Sequence, residues 1–174
     1  MDKEIVSAGV EIYRNIFTPA ICQELIEMTP ALSEEYDTFA GVRTKRKLTS
    51  SRRSPVTFFL HQLSETESQK YCDIIYDRIP NTKTAAFRIM QYPVGSCIKD
   101  HYDTWHPIDG HSNTGLIIQL NDPNSYSGGQ LTIQGRKINL DIGDGVLYDY
   151  SRIHGVTTIE GSERWILNLR VEKS

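Results

Sequence analysis

Residues 164–171 read Arg-Trp-Ile-Leu-Asn-Leu-Arg-Val, and this alternation predicts a β-strand with two unlike faces. One face is apolar throughout: Trp165, Leu167, Leu169 and Val171. We expect amphipathic helices to cover that face and to exclude water from it. The other face, with Arg164 and Asn168, would then line the interior of a barrel. A charged side chain placed there needs a partner residue or a ligand anion.

The strand pattern extends back to about residue 83. Turn-forming residues separate the segments, which is typical of an antiparallel sandwich or barrel, and no helical segments alternate with them as a parallel α/β sheet would require. The predicted strands are Ala85–Tyr92, Ile98–Asp103, Gly115–Leu120, Gln130–Gln134, Arg136–Leu140, Gly145–Tyr150, Gly155–Ile159 and Arg164–Val171.

Helical patterns dominate before residue 83. Thr18-Pro19 predicts the start of a helix that ends before Pro30, and a second helix is expected from about Glu65 to Ile79. Between them lies a basic segment, Arg43–Arg53, which we interpret as a loop, and Phe58–Leu60 is compatible with a short strand.

Composition narrows the class of protein. The chain has 174 residues, a length that suggests one domain. Its formal net charge of −3 argues against a protein whose main role is to coat nucleic acid. Three widely spaced cysteines do not form a disulfide framework. No signal-peptide pattern or membrane-length apolar run is visible. We therefore expect a cytoplasmic protein without a membrane partner, as a monomer or weak dimer.

His101-Tyr102-Asp103 is the sharpest chemical signal. Residues i and i+2 of a strand project from the same face, so an imidazole and a carboxylate can bind one cation. A distant histidine, His154, would complete the two-histidine, one-carboxylate triad typical of non-haem iron sites. Ten residues later comes Arg164, a residue type suited to holding a carboxylate through two hydrogen bonds.

Four ordered stretches resemble the iron(II)- and 2-oxoglutarate-dependent oxygenases, in particular the prolyl 4-hydroxylase-like branch. They cover roughly residues 84–171, and the ordered set is more specific than any one of its parts. The stretches are Arg88–Asp103 with its Tyr-Pro-Val-Gly and His-Tyr-Asp motifs, Leu116–Asn121, Ser127–Leu131 with its Gly-Gly turn, and the closing block from Gly143 through His154-Gly155-Val156 to Gly161 and Arg164.

The resemblance implies an α+β fold with a double-stranded β-helix (jelly-roll) core and supporting N-terminal helices. It implies one dioxygenase domain over residues 1–174, with helical support and the basic loop in 1–82 and the core in 83–174. It also implies an enzyme that hydroxylates a protein or peptide side chain and uses Fe(II), 2-oxoglutarate and O2; it allows ascorbate as an accessory reductant.

Residue roles follow from the same resemblance. His101, Asp103 and His154 would bind the metal and form the catalytic centre. Arg164 would anchor the far carboxylate of 2-oxoglutarate, with Tyr92 and Asn168 as further cosubstrate-binding residues. Gln119 stands where this branch often has a tyrosine, so it would replace that hydroxyl contact or the contact would be lost. Trp105, in the loop after the metal strand, is a candidate substrate-binding residue, with ordinary loop packing as the alternative.

Other readings remain open. The spacing of Arg164 and Arg170 and the basic segment are compatible with a nucleic-acid dealkylase of the same superfamily. A non-catalytic β-sandwich that binds a metal or ligand is a second alternative. A local zinc site formed with His106 and His111 is a third.

Overall fold

The computed structural model of the chain describes residues 3–29, 37–39, 42–44, 59–62, 65–103 and 114–173. Within them lie two α-helices, α1 (Pro19–Met28) and α2 (Glu65–Arg78), and a short 3₁₀ helix at Pro123–Ser125. The strands are β1 (Lys3–Ser7), β2 (Val10–Tyr13), β3 (Asp37–Phe39), β4 (Val42–Thr44), β5 (Phe59–Gln62), β6 (Thr82–Tyr92), β7 (Ile98–His101), β8 (Thr114–Gln119), β9 (Ser127–Gly128), β10 (Leu131–Ile133), β11 (Arg136–Ile138), β12 (Gly145–Asp149), β13 (His154–Val156), β14 (Ile159–Glu160) and β15 (Arg164–Lys173).

Two antiparallel sheets form a sandwich. The major sheet has the order β1-β2-β12-β8-β15-β6-β5, and the minor sheet has the order β11-β10-β13-β7. Apolar side chains from both sheets meet between them, and this inner cluster includes Ile117, Val146 and Ile166 of the major sheet with Leu131 and Ile133 of the minor sheet. Burial of these side chains holds the sheets together.

The outer face of the major sheet carries the two helices. Thr18 caps α1, since its Oγ1 accepts a hydrogen bond from the backbone N–H of Ile21 at 3.3 Å, and Pro19 follows it. The apolar face of β15 and the helices share one buried cluster, as the alternation in residues 164–171 predicts. Its members include Leu25, Tyr71, Ile75, Trp165, Leu167, Leu169 and Val171. Neither α1 nor α2 is long and apolar enough to cross a lipid bilayer.

Most of the predicted strands are present within a few residues of their expected bounds. The strand predicted at Gly155–Ile159 is an exception, because the structure divides this stretch. Its first part, β13, pairs in the minor sheet, while Ile159 and Glu160 form β14 and pair with β9. The strand predicted through Asp103 ends at His101.

The interpretation of the N-terminal region as helical is incomplete, since β1 and β2 form a hairpin there. Gly9 has a φ of 71°, a conformation that glycine adopts without steric cost in a tight turn. β2 pairs with β12, so the hairpin extends the major sheet at that side. Val10 and Ile12 are buried between the sheets, an alternation that four residues signal only weakly.

The interpretation of Arg43–Arg53 as a loop is wrong at its start. Arg43 and Thr44 belong to β4, which pairs with β3. Residues 45–53 lie outside the described residues. The strand expected near Phe58–Leu60 is present as β5, paired with β6 at the edge of the major sheet.

A buried carboxylate joins the N-terminal hairpin to the turn before β12. Asp144 accepts hydrogen bonds from Arg14 Nη1 at 2.7 Å, from the backbone N–H of Asn15 at 2.9 Å and from the backbone N–H of Asp141 at 3.0 Å. Since Asp144 is almost fully buried, these donors replace the water that its charge has lost.

Arg14→Ala is expected to lower the free energy of unfolding by roughly 2–3 kcal/mol, because it leaves the buried charge of Asp144 without its cation. Urea denaturation at neutral pH measures this loss. Lys3→Ala is the matched control: Lys3 pairs with Glu11 at 3.0 Å in a more exposed ion pair, whose loss should cost less than about 1 kcal/mol. Equal losses in the two variants would contradict the role given to Asp144.

Candidate metal and cosubstrate site

The minor sheet brings the two predicted histidine ligands together. His101 ends β7 and His154 begins β13, and the two residues are direct partners in the antiparallel register. Asp103 follows β7, and its backbone N–H donates to the carbonyl of Tyr150 at 3.0 Å. One ligand atom from each of the three side chains lies within 4.8 Å of the others. The backbone therefore gathers three residues that are up to 53 positions apart in the chain (154 − 101).

Both imidazoles are held in the same way. His101 Nδ1 donates to the carbonyl of Lys99, and His154 Nδ1 donates to the carbonyl of Arg152, each at 2.8 Å. A carbonyl can only accept, so each Nδ1 carries the proton and each Nε2 keeps its lone pair for a metal. Two neutral imidazole nitrogens and one carboxylate are a donor set that fits Fe(II), with further positions open to exogenous ligands.

His154 is the more buried of the two histidines. Burial lowers its pKa, while the hydrogen bond to the carbonyl of Arg152 acts in the opposite direction. The neutral form that a metal requires is therefore favoured at this position.

The lowered pKa of His154 predicts a loss of stability in acid for the metal-free protein. The unfolded chain takes up a proton near the ordinary histidine pKa of about 6.5, before the folded protein does. Stability from this group is complete above that pH and falls as the pH drops through the folded pKa, by at most about 1.4 kcal/mol per pH unit. In urea denaturation between neutral pH and pH 5, His154→Gln should lose less stability than the wild type, whereas parallel profiles would contradict the prediction.

Arg164 opens β15 on the interior side of the major sheet. Its side chain is 3 % exposed, and Nε donates to Gln119 Oε1 at 3.0 Å. Tyr92 is its register partner on β6, and the guanidinium carbon lies 5.7 Å from the centre of the Tyr92 ring. Within the part of the chain that the structure describes, Arg164 forms no ion pair. A buried cation without a counter-ion is costly, which makes this a suitable position for a carboxylate ligand.

Gln119 orients Arg164 from the neighbouring strand. Its Nε2 donates to the carbonyl and to the side-chain oxygen of Asn121, at 2.9 and 3.1 Å. The same Asn121 oxygen accepts the backbone N–H of Trp165 at 2.7 Å. The amide of Gln119 is thus fixed at both ends, with its oxygen toward the guanidinium.

Four tyrosines lie around these groups: two pack on His154, and two lie beside Arg164. Tyr92 was singled out from the sequence, and burial raises the pKa of its phenol to about 12, so it stays a hydrogen-bond donor at neutral pH. Tyr148 and Tyr150 were missed, although they share the inward parity of the strand that leads to His154. Tyr126 was also missed, and its position in a turn gave no signal; burial raises the pKa of its phenol, with Arg164 acting against that rise.

Tyr150 contacts both the candidate metal ligand His154 and the side chain of Asn168. Its ring stacks on the His154 ring with centroids 5.9 Å apart, and its hydroxyl donates to Asn168 Oδ1 at 3.0 Å. Asn168 is four residues from Arg164, roughly 13 Å along the strand, and its role in cosubstrate binding stays a prediction. A Cβ at Gly115 would lie 1.8 Å from the Tyr150 ring, so the glycine provides the space that this ring occupies.

Arg164, Gln119 and Tyr126 also line a cavity of about 210 Å³ between the sheets. Residues of the minor sheet and of the turns at this end complete its wall: Pro123, Gly128, Gly129, Gln130, Leu131, Ile138, Asn139, Leu140 and Asp141. The candidate substrate residue Trp105, with His106 and His111, lies outside the described residues.

Comparison with known proteins agrees with this geometry. The family model described as the 2OG-Fe(II) oxygenase superfamily matches residues 87–171, which include the three ligands and Arg164. A PKHD-type hydroxylase of Prochlorococcus marinus (strain MIT 9313) is 31 % identical over 70 residues, or 38 % of this chain and 32 % of the relative. The matched stretch thus spans about a third of the length of the curated relatives.

Solved structures share the fold at low sequence identity. The viral collagen prolyl hydroxylase of Paramecium Bursaria Chlorella virus-1, solved as a 2OG complex, has a TM-score of 0.63 and 14 % identity, covering 95 % of this chain and 96 % of that one. A prolyl hydroxylase from Trichoplax adhaerens, solved with a hypoxia inducible factor peptide fragment, has a TM-score of 0.63 and 16 % identity, with 95 % and 84 % covered. These likenesses confirm the predicted jelly-roll fold class.

The motif order inferred from the residues, the family match and the shared fold agree. The family implies Fe(II), 2-oxoglutarate and O2, and the His-Asp-His cluster offers a place for the metal. Residues 87–171, just under half of the chain, are thus similar to the 2OG-Fe(II) oxygenase superfamily.

Proposed function

We propose that this chain is an Fe(II)- and 2-oxoglutarate-dependent dioxygenase that hydroxylates a protein or peptide side chain, as a prolyl 4-hydroxylase-like enzyme. The observation that carries the proposal is that the protein has both a His-Asp-His cluster and a buried arginine, Arg164, which forms no ion pair among the described residues. Fe(II) and 2-oxoglutarate together supply oxidative decarboxylation to succinate and CO2, coupled to hydroxylation by O2.

The protein contributes positioning and shielding. His101, Asp103 and His154 would hold the metal. Arg164, oriented by Gln119, receives the distal carboxylate of the cosubstrate, and the phenol of Tyr92 supplies a further donor. The apolar inner cluster excludes water from this space.

A peptide substrate is supported by the surface next to the metal ligands. Tyr102 and Ile153 are 59 % and 52 % exposed, and each adjoins a ligand in the chain. Large exposed apolar side chains beside a site offer contact area to a partner. The solved neighbour from Trichoplax adhaerens binds a peptide fragment, which is compatible with the same class of substrate here.

The test is a 2-oxoglutarate turnover assay with Fe(II), in which succinate release and the mass of the offered substrate are measured. Proline-containing peptides, the same peptides with alanine in place of proline, and alkylated single-stranded DNA are offered in turn. We expect peptide-stimulated succinate release and a mass increase of one oxygen atom on the proline-containing peptides only. Stimulation by DNA alone would favour the dealkylase alternative, and no 2-oxoglutarate-dependent succinate under any condition would contradict an enzymatic role.

A further inference from the structure

The site contains the buried hydroxyl group of Tyr148, which has no role in the function proposed above. Its side chain is 1 % exposed, and the hydroxyl meets no hydrogen-bond partner among the described residues. Burying a hydroxyl without a partner typically costs about 1–3 kcal/mol, so such groups are uncommon and call for an explanation.

The surroundings of Tyr148 place it against the metal ligand His154. Its ring meets the His154 ring edge-on, with centroids 5.3 Å apart, and lies 5.1 Å from the Tyr150 ring. Burial raises the pKa of its phenol well above the ordinary value, so the hydroxyl stays a hydrogen-bond donor at neutral pH.

Tyr150 belongs to the same group of tyrosines, and its hydroxyl does have a hydrogen-bond partner. It is two residues further along the same chain segment and equally enclosed, yet its hydroxyl donates to Asn168 Oδ1 at 3.0 Å. The difference between the two tyrosines is one of partners rather than of burial.

We propose that Tyr148 is a cosubstrate-positioning residue whose hydroxyl donates a hydrogen bond to an oxygen of the bound 2-oxo dicarboxylate, between the metal cluster and Arg164. This assignment rests on the proposed function. It gives the cosubstrate a donor from β12 in addition to the guanidinium from β15, the two strands that flank β8 in the major sheet.

The experiment compares Tyr148→Phe with wild type in a state that cannot turn over. Both proteins are loaded with Mn(II) without O2, and 2-oxoglutarate binding is measured by calorimetry. A lost hydrogen bond to a charged acceptor should raise the Kd about tenfold or more. The affinity for Mn(II) alone should stay unchanged, because the ring that packs on His154 is retained.

Thermal unfolding supplies a second readout that does not depend on activity. Tyr148→Phe removes an unpaired hydroxyl, so the Tm of the metal-free protein should not fall, whereas the rise in Tm produced by Mn(II) with 2-oxoglutarate should shrink. The matched control is Tyr76→Phe on α2, outside the site, which loses the hydrogen bonds between the Tyr76 hydroxyl and Thr84. We expect it to lower the metal-free Tm and to keep a Kd for 2-oxoglutarate close to that of wild type.

The outcomes are separable. If wild type binds 2-oxoglutarate and Tyr148→Phe binds it equally well, the assignment is overturned while the proposed function stands. A fall in the metal-free Tm of Tyr148→Phe equal to that of Tyr76→Phe would show that the hydroxyl has a structural partner, and would also overturn it. If Mn(II)-loaded wild type does not bind 2-oxoglutarate, the proposed function fails, and the assignment fails with it.

Discussion

Asp103→Ala is expected to abolish 2-oxoglutarate turnover and to weaken divalent metal binding by at least about 100-fold. The variant removes the one anionic ligand of the cluster and leaves two neutral imidazoles, a set with much lower affinity for a hard divalent ion. The fold should persist, because the Asp103 side chain is about one-third exposed and the backbone bond from its N–H to the carbonyl of Tyr150 does not depend on the side chain.

Mn(II) titration followed by electron paramagnetic resonance measures the affinity, and succinate release measures turnover. Asp100→Ala is the matched control, since Asp100 lies on β7, just before the ligand pair, and is exposed and outside the cluster. We expect near wild-type metal binding from that control. Full turnover by Asp103→Ala would remove the metal assignment, and with it the reading of His101-Tyr102-Asp103 as a ligand pair.

Arg164→Ala is expected to raise the 2-oxoglutarate requirement by tens- to thousands-fold. A charge-assisted contact contributes about 1.5–3 kcal/mol, and breaking a buried ion pair costs about 3–5 kcal/mol, where each 1.4 kcal/mol is a factor of ten. The loss should fall on the KM for 2-oxoglutarate and on its Kd with Mn(II), because Arg164 is not a member of the ligand cluster.

Two further variants test this prediction. Arg164→Lys keeps the charge but not the planar fork, so we expect an intermediate loss. Arg136→Ala removes an exposed arginine from β11 and should leave the Kd unaffected. An unchanged cosubstrate dependence in Arg164→Ala would refute the anchoring role, even if the metal site proved correct.

Local sequence patterns were sufficient to predict most strands of the core and the face that the helices cover. The alternation in residues 164–171 identified which face of β15 the helices cover and which face Arg164 shares with the interior. The i, i+2 spacing of His101 and Asp103 identified two of the three residues of the candidate ligand cluster. The prediction for β15 succeeds because the side-chain period of a strand depends on the backbone alone.

The details that local patterns missed depend on neighbours that are distant in sequence. Gln119 orients Arg164 only because β8 and β15 pair with Gln119 opposite Ile166, and no property of residue 119 alone reveals this register. Tyr126 reaches the guanidinium from a turn, where no periodicity exists to interpret. The N-terminal hairpin was missed because two strands of four and five residues carry little signal, while the pairing of β2 with β12 stabilises the hairpin.

The space that Gly115 leaves for the Tyr150 ring has an evolutionary consequence. A methyl group at residue 115 would overlap ring atoms of residue 150, at 1.8–2.3 Å, so the two positions share one fixed volume across β8 and the end of β12. Homologous sequences that enlarge residue 115 should carry a short side chain at residue 150, and the two substitutions should be tolerated together where the first alone displaces the ring from His154. Covariation between these two columns of an alignment would therefore mark the lineages whose metal site is lined by tyrosine.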